Sequence, residues 1–217
     1  MVNINEQKSN YDRLSKWYDY LAGCSELRYI ALGIKKLDPA VGDRVLEIGC
    51  GTGYGLVSIA RLVGIEGRVD GVDLSQGMIK VSKTRLQRAG FLPRVHLKRA
   101  NASQLPYGNA LFDAVFMSFT LELFGASTMR RVLCECHRVL RDDGRLCVVA
   151  LSKSGCSVAK RIYEYLHNRF PQHIDCRPIR LRQQLEAGLF SVVEDDEYSL
   201  FGLPVSITLA KKSTANE

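Results

Sequence analysis

No stretch of this 217-residue chain approaches the roughly 20 consecutive apolar residues that cross a bilayer as a helix, so a helical membrane span is not expected. Residues 1–10 are polar and hold no apolar core of a secretory signal, which makes the cytoplasm the expected location. Cysteine occurs seven times, an odd number, and its spacing fits no metal-ligand pattern, so the thiols are read as reduced. Even the nearest pair, Cys134 and Cys136, sits two apart on an expected helix and faces two ways. No internal repeat and no low-complexity segment is found. Neither a nucleophile–base pair nor a metal-binding set stands out. The net charge is +7, yet Lys and Arg are dispersed, which permits an anionic partner without demanding nucleic acid. The length suits one domain with a small appendage.

What is present centres on Arg44-Val45-Leu46-Glu47-Ile48-Gly49-Cys50-Gly51-Thr52-Gly53. An apolar run reaches an acid and breaks into alternate glycines. Apolar residues then return at helical spacing in Leu56, Val57, Ile59, Ala60, Leu62 and Val63. This predicts a strand, a tight glycine loop and a helix. The loop lets a ligand approach the main chain, and the helix start offers it free N–H groups. The dinucleotide fingerprint needs its third glycine at position 54, where Tyr54 stands, and no Gly-Lys-Ser/Thr follows, so neither nucleotide motif is met. The run Arg68–Asp73 predicts a second strand ending in an acid. Asp73 lies about twenty residues beyond the loop, where a nucleotide-binding βαβ unit places its ribose-binding carboxylate. Ser75 is the expected N-cap of a helix carrying Met78, Ile79, Val81 and Leu86 inward.

Alternation predicts a strand at 94–99, followed by Ala100-Asn101-Ala102 and Leu105-Pro106-Tyr107. The near-continuous apolar run 111–118 predicts a central parallel strand. Residues 119–124 form the loop at its end, and Met129, Val132, Leu133, Cys136 and Leu140 mark a helix on which His137 is a surface or packing residue. A turn at 141–145 leads to a fifth strand, 146–151. Helices are expected over 154–170 and 179–189, then strands over 190–198 and 205–210. Two helices precede the first strand: residues 5–20, with Tyr11, Leu14, Trp17 and Tyr18, and a second with Leu27, Ile30, Ala31, Ile34 and Leu37.

Taken in order, the glycine loop with Glu47, Asp73, the Asn101-Ala102 loop and Phe112-Asp113 resemble the motifs of class I S-adenosylmethionine (SAM) methyltransferases. The stretch from Tyr11 to Asp19 is similar to an N-terminal element of the ubiquinone/menaquinone-biosynthesis C-methyltransferases within the methyltransferase type 11 group. The resemblance covers residues 11–151 well and the rest in outline. It implies an α/β, Rossmann-like, doubly wound seven-stranded sheet with its last strand antiparallel. It also implies a helical lid over residues 1–40, a SAM-binding domain over 41–217, and a helical acceptor-pocket segment at 151–190. Glu47, Gly49, Cys50, Gly51, Gly53, Asp73, Leu74, Met78, Asn101, Ala102 and Ser118 are the residues expected around S-adenosyl-L-methionine. At Asn101 the family usually has an acid that meets the adenine amino group. An amide oxygen can still accept there, and an Asx-type turn is the alternative.

The expected reaction is in-line transfer of the SAM methyl to a small, lipophilic or aromatic acceptor. The alternatives are a lipid amine, thiol or protein acceptor, or SAM binding without transfer. An Asn-Pro-Pro-Tyr-type motif, which would favour amino groups of bases or peptides, is replaced by Ser118-Phe119-Thr120-Leu121. If the acceptor loses a proton, Tyr11, Tyr18, Glu122 and His173 are the candidate bases; no metal is expected. Leu200, Phe201, Leu203 and Pro204, with Ile162, Tyr165, Leu166 and Phe170, are expected to wall the acceptor pocket. Lys153, Lys160, Arg161, Arg169, Arg177, Arg180 and Arg182 form either an ordinary solvated face or a peripheral contact with an anionic membrane.

Overall fold

Near-continuous apolar strands such as Arg44–Ile48 (β1) and Phe112–Ser118 (β4) can be buried only if helices cover both faces of the sheet, and the computed structural model shows that arrangement. It describes residues 23–153, 178–187, 190–200 and 202–213. The remaining strands are Arg68–Asp73 (β2), Val95–Arg99 (β3), Leu140–Leu151 (β5), Phe190–Leu200 (β6) and Leu203–Lys212 (β7). The described helices are Gly23–Leu37 (α1), Tyr54–Leu62 (α2), Gln76–Arg88 (α3), Ala126–Val139 (α4) and Leu181–Glu186 (α5). None of them is long and apolar enough to cross a membrane.

The seven strands run in the order β3-β2-β1-β4-β5-β7-β6. β1 to β5 are parallel; β7 is antiparallel to both β5 and β6, as expected. The two-residue side-chain period separates two cores. Val45, Ala114, Phe116 and Val149 face α1, α2 and α3 through Ile34, Leu37, Leu56, Ile59 and Leu86. Leu46, Ile48, Val115, Met117 and Val148 face α4 and α5 through Val132, Leu133, Cys136, Leu181 and Leu185. From β1 the chain winds one way to β2 and β3, and later the other way to β4 and β5. The reversal between β1 and β4 opens a crevice at their C-terminal ends, where open α/β sheets bind ligands.

Polar side chains fix the opposite edge. Asp113 Oδ2 accepts the Arg44 N–H at 2.8 Å, and Asp113 also pairs with Arg141. Arg145 donates to the Leu37 carbonyl at 2.9 Å and to Asp43 at 2.7 Å, tying the end of α1 to β5. Three expected boundaries shift. Residues 141–144 are a bulge within β5 rather than a turn before it: pairing jumps from Phe112↔Leu140 to Ala114↔Arg145. The helix expected over 179–189 contracts to Leu181–Glu186, because Ile179 is held extended by backbone bonds to Leu151 and Lys153 at 2.9 Å each. The final hairpin is tighter than expected, with Leu200 paired to Leu203. His137 packs edge-on to Phe190 at 5.8 Å, as a packing histidine should. The helices expected over 5–20 and 154–170 lie outside the described residues, as do all the basic residues at 160–177.

Candidate active site

The glycine loop follows β1 directly, and its geometry depends on residues without a Cβ. Gly49 and Gly51 have φ of +70° and +50°, a region where other residues are strained. A Cβ on Gly49 would strike the Thr120 side chain, 2.5 Å from Cγ2. On Gly51 it would meet, among the described residues, only the Gly49 carbonyl oxygen, at 4.0 Å. Gly53, at φ +84°, caps α2 and is pressed on Ser82, so it supports the loop from behind. Asp73, at the end of β2, binds the loop together: Oδ2 accepts the Gly51 N–H at 2.9 Å and Oδ1 the Ser75 N–H at 2.8 Å. Ser75 caps α3 as expected, accepting the Met78 N–H at 3.2 Å.

One cleft brings together Glu47, Gly49, Cys50, Gly51, Asp73, Leu74, Met78, Asn101, Ala102 and Ser118, all expected there. Gly53 is not among its described lining residues. Neither is Glu122, which is buried beside it with Oε1 accepting the Leu151 N–H at 3.1 Å. Tyr11, Tyr18 and His173 lie outside the described residues. Asn101 takes the Asx-turn option, with Oδ1 accepting from the N–H and the hydroxyl of Ser103 at 3.0 and 2.9 Å. Of the expected acceptor wall, Leu200 and Leu203 pack into the core beneath α1 and are not among the described residues of the cleft. The cleft also contains residues that sequence reasoning missed: Glu26, Leu27 and Ile30 of α1, Tyr54, and Leu123 and Phe124 after β4. For α1 the signal was available in Leu27 and Ile30, which share the apolar stripe of the helix.

The electrostatics of the cleft run against the charge of the chain. Its charged lining residues are Glu26, Glu47 and Asp73; no Lys, Arg or His lines it among the described residues. A pyrophosphate would find no cationic side chain among the described lining residues, whereas a cationic ligand is favoured beside these acids. Glu47 is 2 % exposed, and its Oε2 has no hydrogen-bond partner among the described residues. Burial, then the charge of Asp73, pushes its pKa well above the carboxylate range. An unpartnered buried carboxyl oxygen at a cleft is costly until a donor reaches it. Burial also raises the Cys50 thiol well above its ordinary value, so it is not a thiolate nucleophile. Phe119 closes the β4 side at φ +48°, held edge-on to Tyr29 at 6.5 Å, while Tyr29 donates to the Ser199 carbonyl at 2.6 Å.

Residues 45–144, which contain the strand, the glycine loop and the Asp73 clamp, match the family described as "Methyltransferase domain". Over this stretch the chain is similar to that domain. The chain is 38% identical over 131 residues to the ubiquinone/menaquinone biosynthesis C-methyltransferase UbiE of Teredinibacter turnerae, a match covering 60% of this chain and 52% of that protein. The chain thus spans about half the length of the curated relatives it matches. Among solved structures, the 1,6-didemethyltoxoflavin-N1-methyltransferase of Burkholderia thailandensis has the same fold at 20% identity. Its TM-score is 0.75, over 97% of this chain and 88% of that one. The [4+2]-cyclase SpnF also shares the methyltransferase-domain fold, with a TM-score of 0.70 at 20% identity, over 86% of this chain and 81% of that one.

Proposed function

We propose that the protein transfers the methyl group of S-adenosylmethionine to a small lipophilic or aromatic acceptor. The observation that carries this reading is the all-acidic cleft built on the glycine loop. Its residues fit the cofactor on three counts. Space above Gly51 admits a ligand against the backbone. The orphaned Oε2 of Glu47 suits an ammonium donor. Asp73 borders the cleft with a carboxylate, the acceptor type that suits ribose hydroxyls. Asn101 and Ala102 border the same side, where an adenine would rest. Bound there, the cofactor would supply a methyl on a sulfonium, activated for displacement. The chain's own task is to orient the acceptor, exclude water and surround positive charge with carboxylates and aromatic faces.

The acceptor side follows from its lining. Leu27, Ile30, Phe119, Leu123 and Phe124 are apolar, and Glu26 is the acid set among them. That suits an aromatic or lipid-like molecule better than a sugar or a nucleotide. The relatives named for quinone biosynthesis support the same class. SpnF supports the alternative, since a cyclase shares the fold, and fold alone does not fix chemistry. Calorimetry with SAM and S-adenosylhomocysteine, followed by labelled-methyl transfer to a panel of phenols, quinols, amines and thiols, tests the proposal. One cofactor bound per chain, with transfer to the lipophilic members, is expected. No cofactor binding would refute the site, and transfer to a highly polar acceptor alone would refute the lipophilic pocket.

A further inference from the structure

Glu26 has no part yet in this reading, on which the following rests. It lies in the first turn of α1 and lines the cleft between apolar neighbours, with no hydrogen-bond or ion-pair partner among the described residues. The sheet order tells which end of the cleft it occupies. Asp73 and Asn101 follow β2 and β3, on one side of the glycine loop; Ser118 and Phe119 follow β4, on the other. Three residues on from Glu26, Tyr29 stands against Phe119, which places the start of α1 over the β4 side. Ribose and base on the β2 and β3 side leave the β4 side for the reacting end.

Glu122 adjoins this point. It is 1 % exposed, and its Oε2 has no partner among the described residues. Burial raises Glu26 to about 7. Burial, and to a smaller extent the charge of Glu26, raises Glu122 to about 8. Near neutrality Glu122 therefore keeps its proton while Glu26 exchanges its own, the condition in which a carboxylate works best as a base.

We propose that Glu26 is the proton acceptor at the reacting end of the cleft, facing the acceptor molecule from the first turn of α1. As the attacking atom of the acceptor bonds to the methyl carbon, the carbon–sulfur pair returns to sulfur. The proton displaced from the acceptor passes to the Glu26 carboxylate and from there to water. A lipophilic acceptor with an acidic O–H or C–H, such as a phenol or quinol, is the class such a base serves.

A probe that needs no acceptor tests this. Sinefungin carries a primary ammonium on carbon where the cofactor carries its methylsulfonium, so its charge falls at the reacting end; S-adenosylhomocysteine lacks that charge. Calorimetry on the full chain should show Glu26→Gln weakening sinefungin about tenfold or more, the scale of a hydrogen bond to a charged group, while S-adenosylhomocysteine changes by less than about twofold. Glu26→Asp should keep much of the preference. In the wild type the preference should rise between about pH 6 and about pH 8 as Glu26 ionises, and the rise should vanish in Glu26→Gln. Glu47, Asp73, Cys50 and Tyr54 also border the cleft and Glu122 lies behind it. The homocysteine ligand cancels contacts to the parts the two ligands share, and Glu122, which also ionises near this range, is separated by repeating the pH series in Glu122→Gln. Equal losses for both ligands, or a preference untouched by the substitution and by pH, would overturn the proposal. Failure of the wild type to bind S-adenosylhomocysteine would instead overturn the methyl-transfer reading itself.

Discussion

Gly49 and Gly51 stand two residues apart in one loop, yet their replacement should fail in different ways. At Gly49, alanine suffers twice. The left-handed backbone costs a Cβ-bearing residue about 1–2 kcal/mol. The new methyl would also lie 2.5 Å from Thr120 Cγ2 and 2.9 Å from Thr120 Cβ. Neither atom is the end of a flexible chain, because Thr120 is 7 % exposed and its hydroxyl donates to the Ser118 carbonyl at 2.8 Å. Overpacking of that kind adds about 1–3 kcal/mol. Gly49→Ala should therefore destabilise the fold by about 2–5 kcal/mol. Gly51→Ala carries the backbone term alone, about 1–2 kcal/mol, because no side chain of the described residues lies within 4 Å of its Cβ. That methyl sits where a ligand meets the main chain, so cofactor binding should fall sharply although the protein stays folded; Gly51→Val should abolish it. Urea titration gives the two stabilities, and calorimetry with S-adenosylhomocysteine gives the affinities. Undiminished binding in Gly51→Val, or equal destabilisation by the two alanines, would refute the geometry.

Asp73→Ala should weaken cofactor binding by about 1.5–3 kcal/mol, since it removes a charged acceptor from both the loop and the ligand; a loss under about tenfold by calorimetry would leave Asp73 a loop clamp only. Asn101→Asp should be tolerated, because a carboxylate can still accept from Ser103, and loss of binding would reveal another role. Glu122 is held protonated in the folded state up to about 8, whereas unfolded it ionises near 4.5. Between those values the native state binds the extra proton, so stability should fall as pH rises through the window and level off above it; Glu122→Gln should flatten the slope in urea titrations, and an unchanged slope would remove Glu122 as its source. Deleting residues 1–20, with Tyr11 and Tyr18, should leave a folded domain with little transfer activity if that segment is a lid; amide exchange there that is equally slow with and without ligand would count against it. If the basic face rests on an anionic membrane, sedimentation with anionic liposomes should be salt-sensitive, and its absence would favour the solvated face; Arg182 is partly withdrawn already, pairing with Glu186 at 2.9 Å.

Much of the fold was legible because local and tertiary signals agree. Ala114–Met117 is a run too apolar for a one-sided sheet, and Gly49 to Gly53 interrupt the pattern where the backbone must turn. Asp73 was legible by its distance from that loop, but not its double hydrogen bond, which depends on how Gly51 and Ser75 converge. Glu26 was missed because an acid beside a helical apolar stripe looks like ordinary surface charge. Only the seat of α1 over the end of β4 turns it inward. Asn101 left two readings open until the position of Ser103 favoured the turn. Leu200 and Leu203 were placed at the pocket because apolar residues in a hairpin suit a pocket wall as well as a core. The extension of β6 and β7 to Leu200 and Leu203 brings them under α1 instead.

The position of β7 has a consequence for synthesis. A ribosome delivers β5 before β6 and β6 before β7, but β7 is the strand that lies between the other two. Until residues 203–212 emerge, the nascent chain can assemble only the parallel half of its sheet, with the Cys147–Leu151 edge of β5 unpaired and apolar. Such an edge is a template for pairing with another chain. Translation that pauses over the codons for residues 203–212 would prolong the interval in which this protein is prone to aggregate, and a chaperone that shields strand edges would act there.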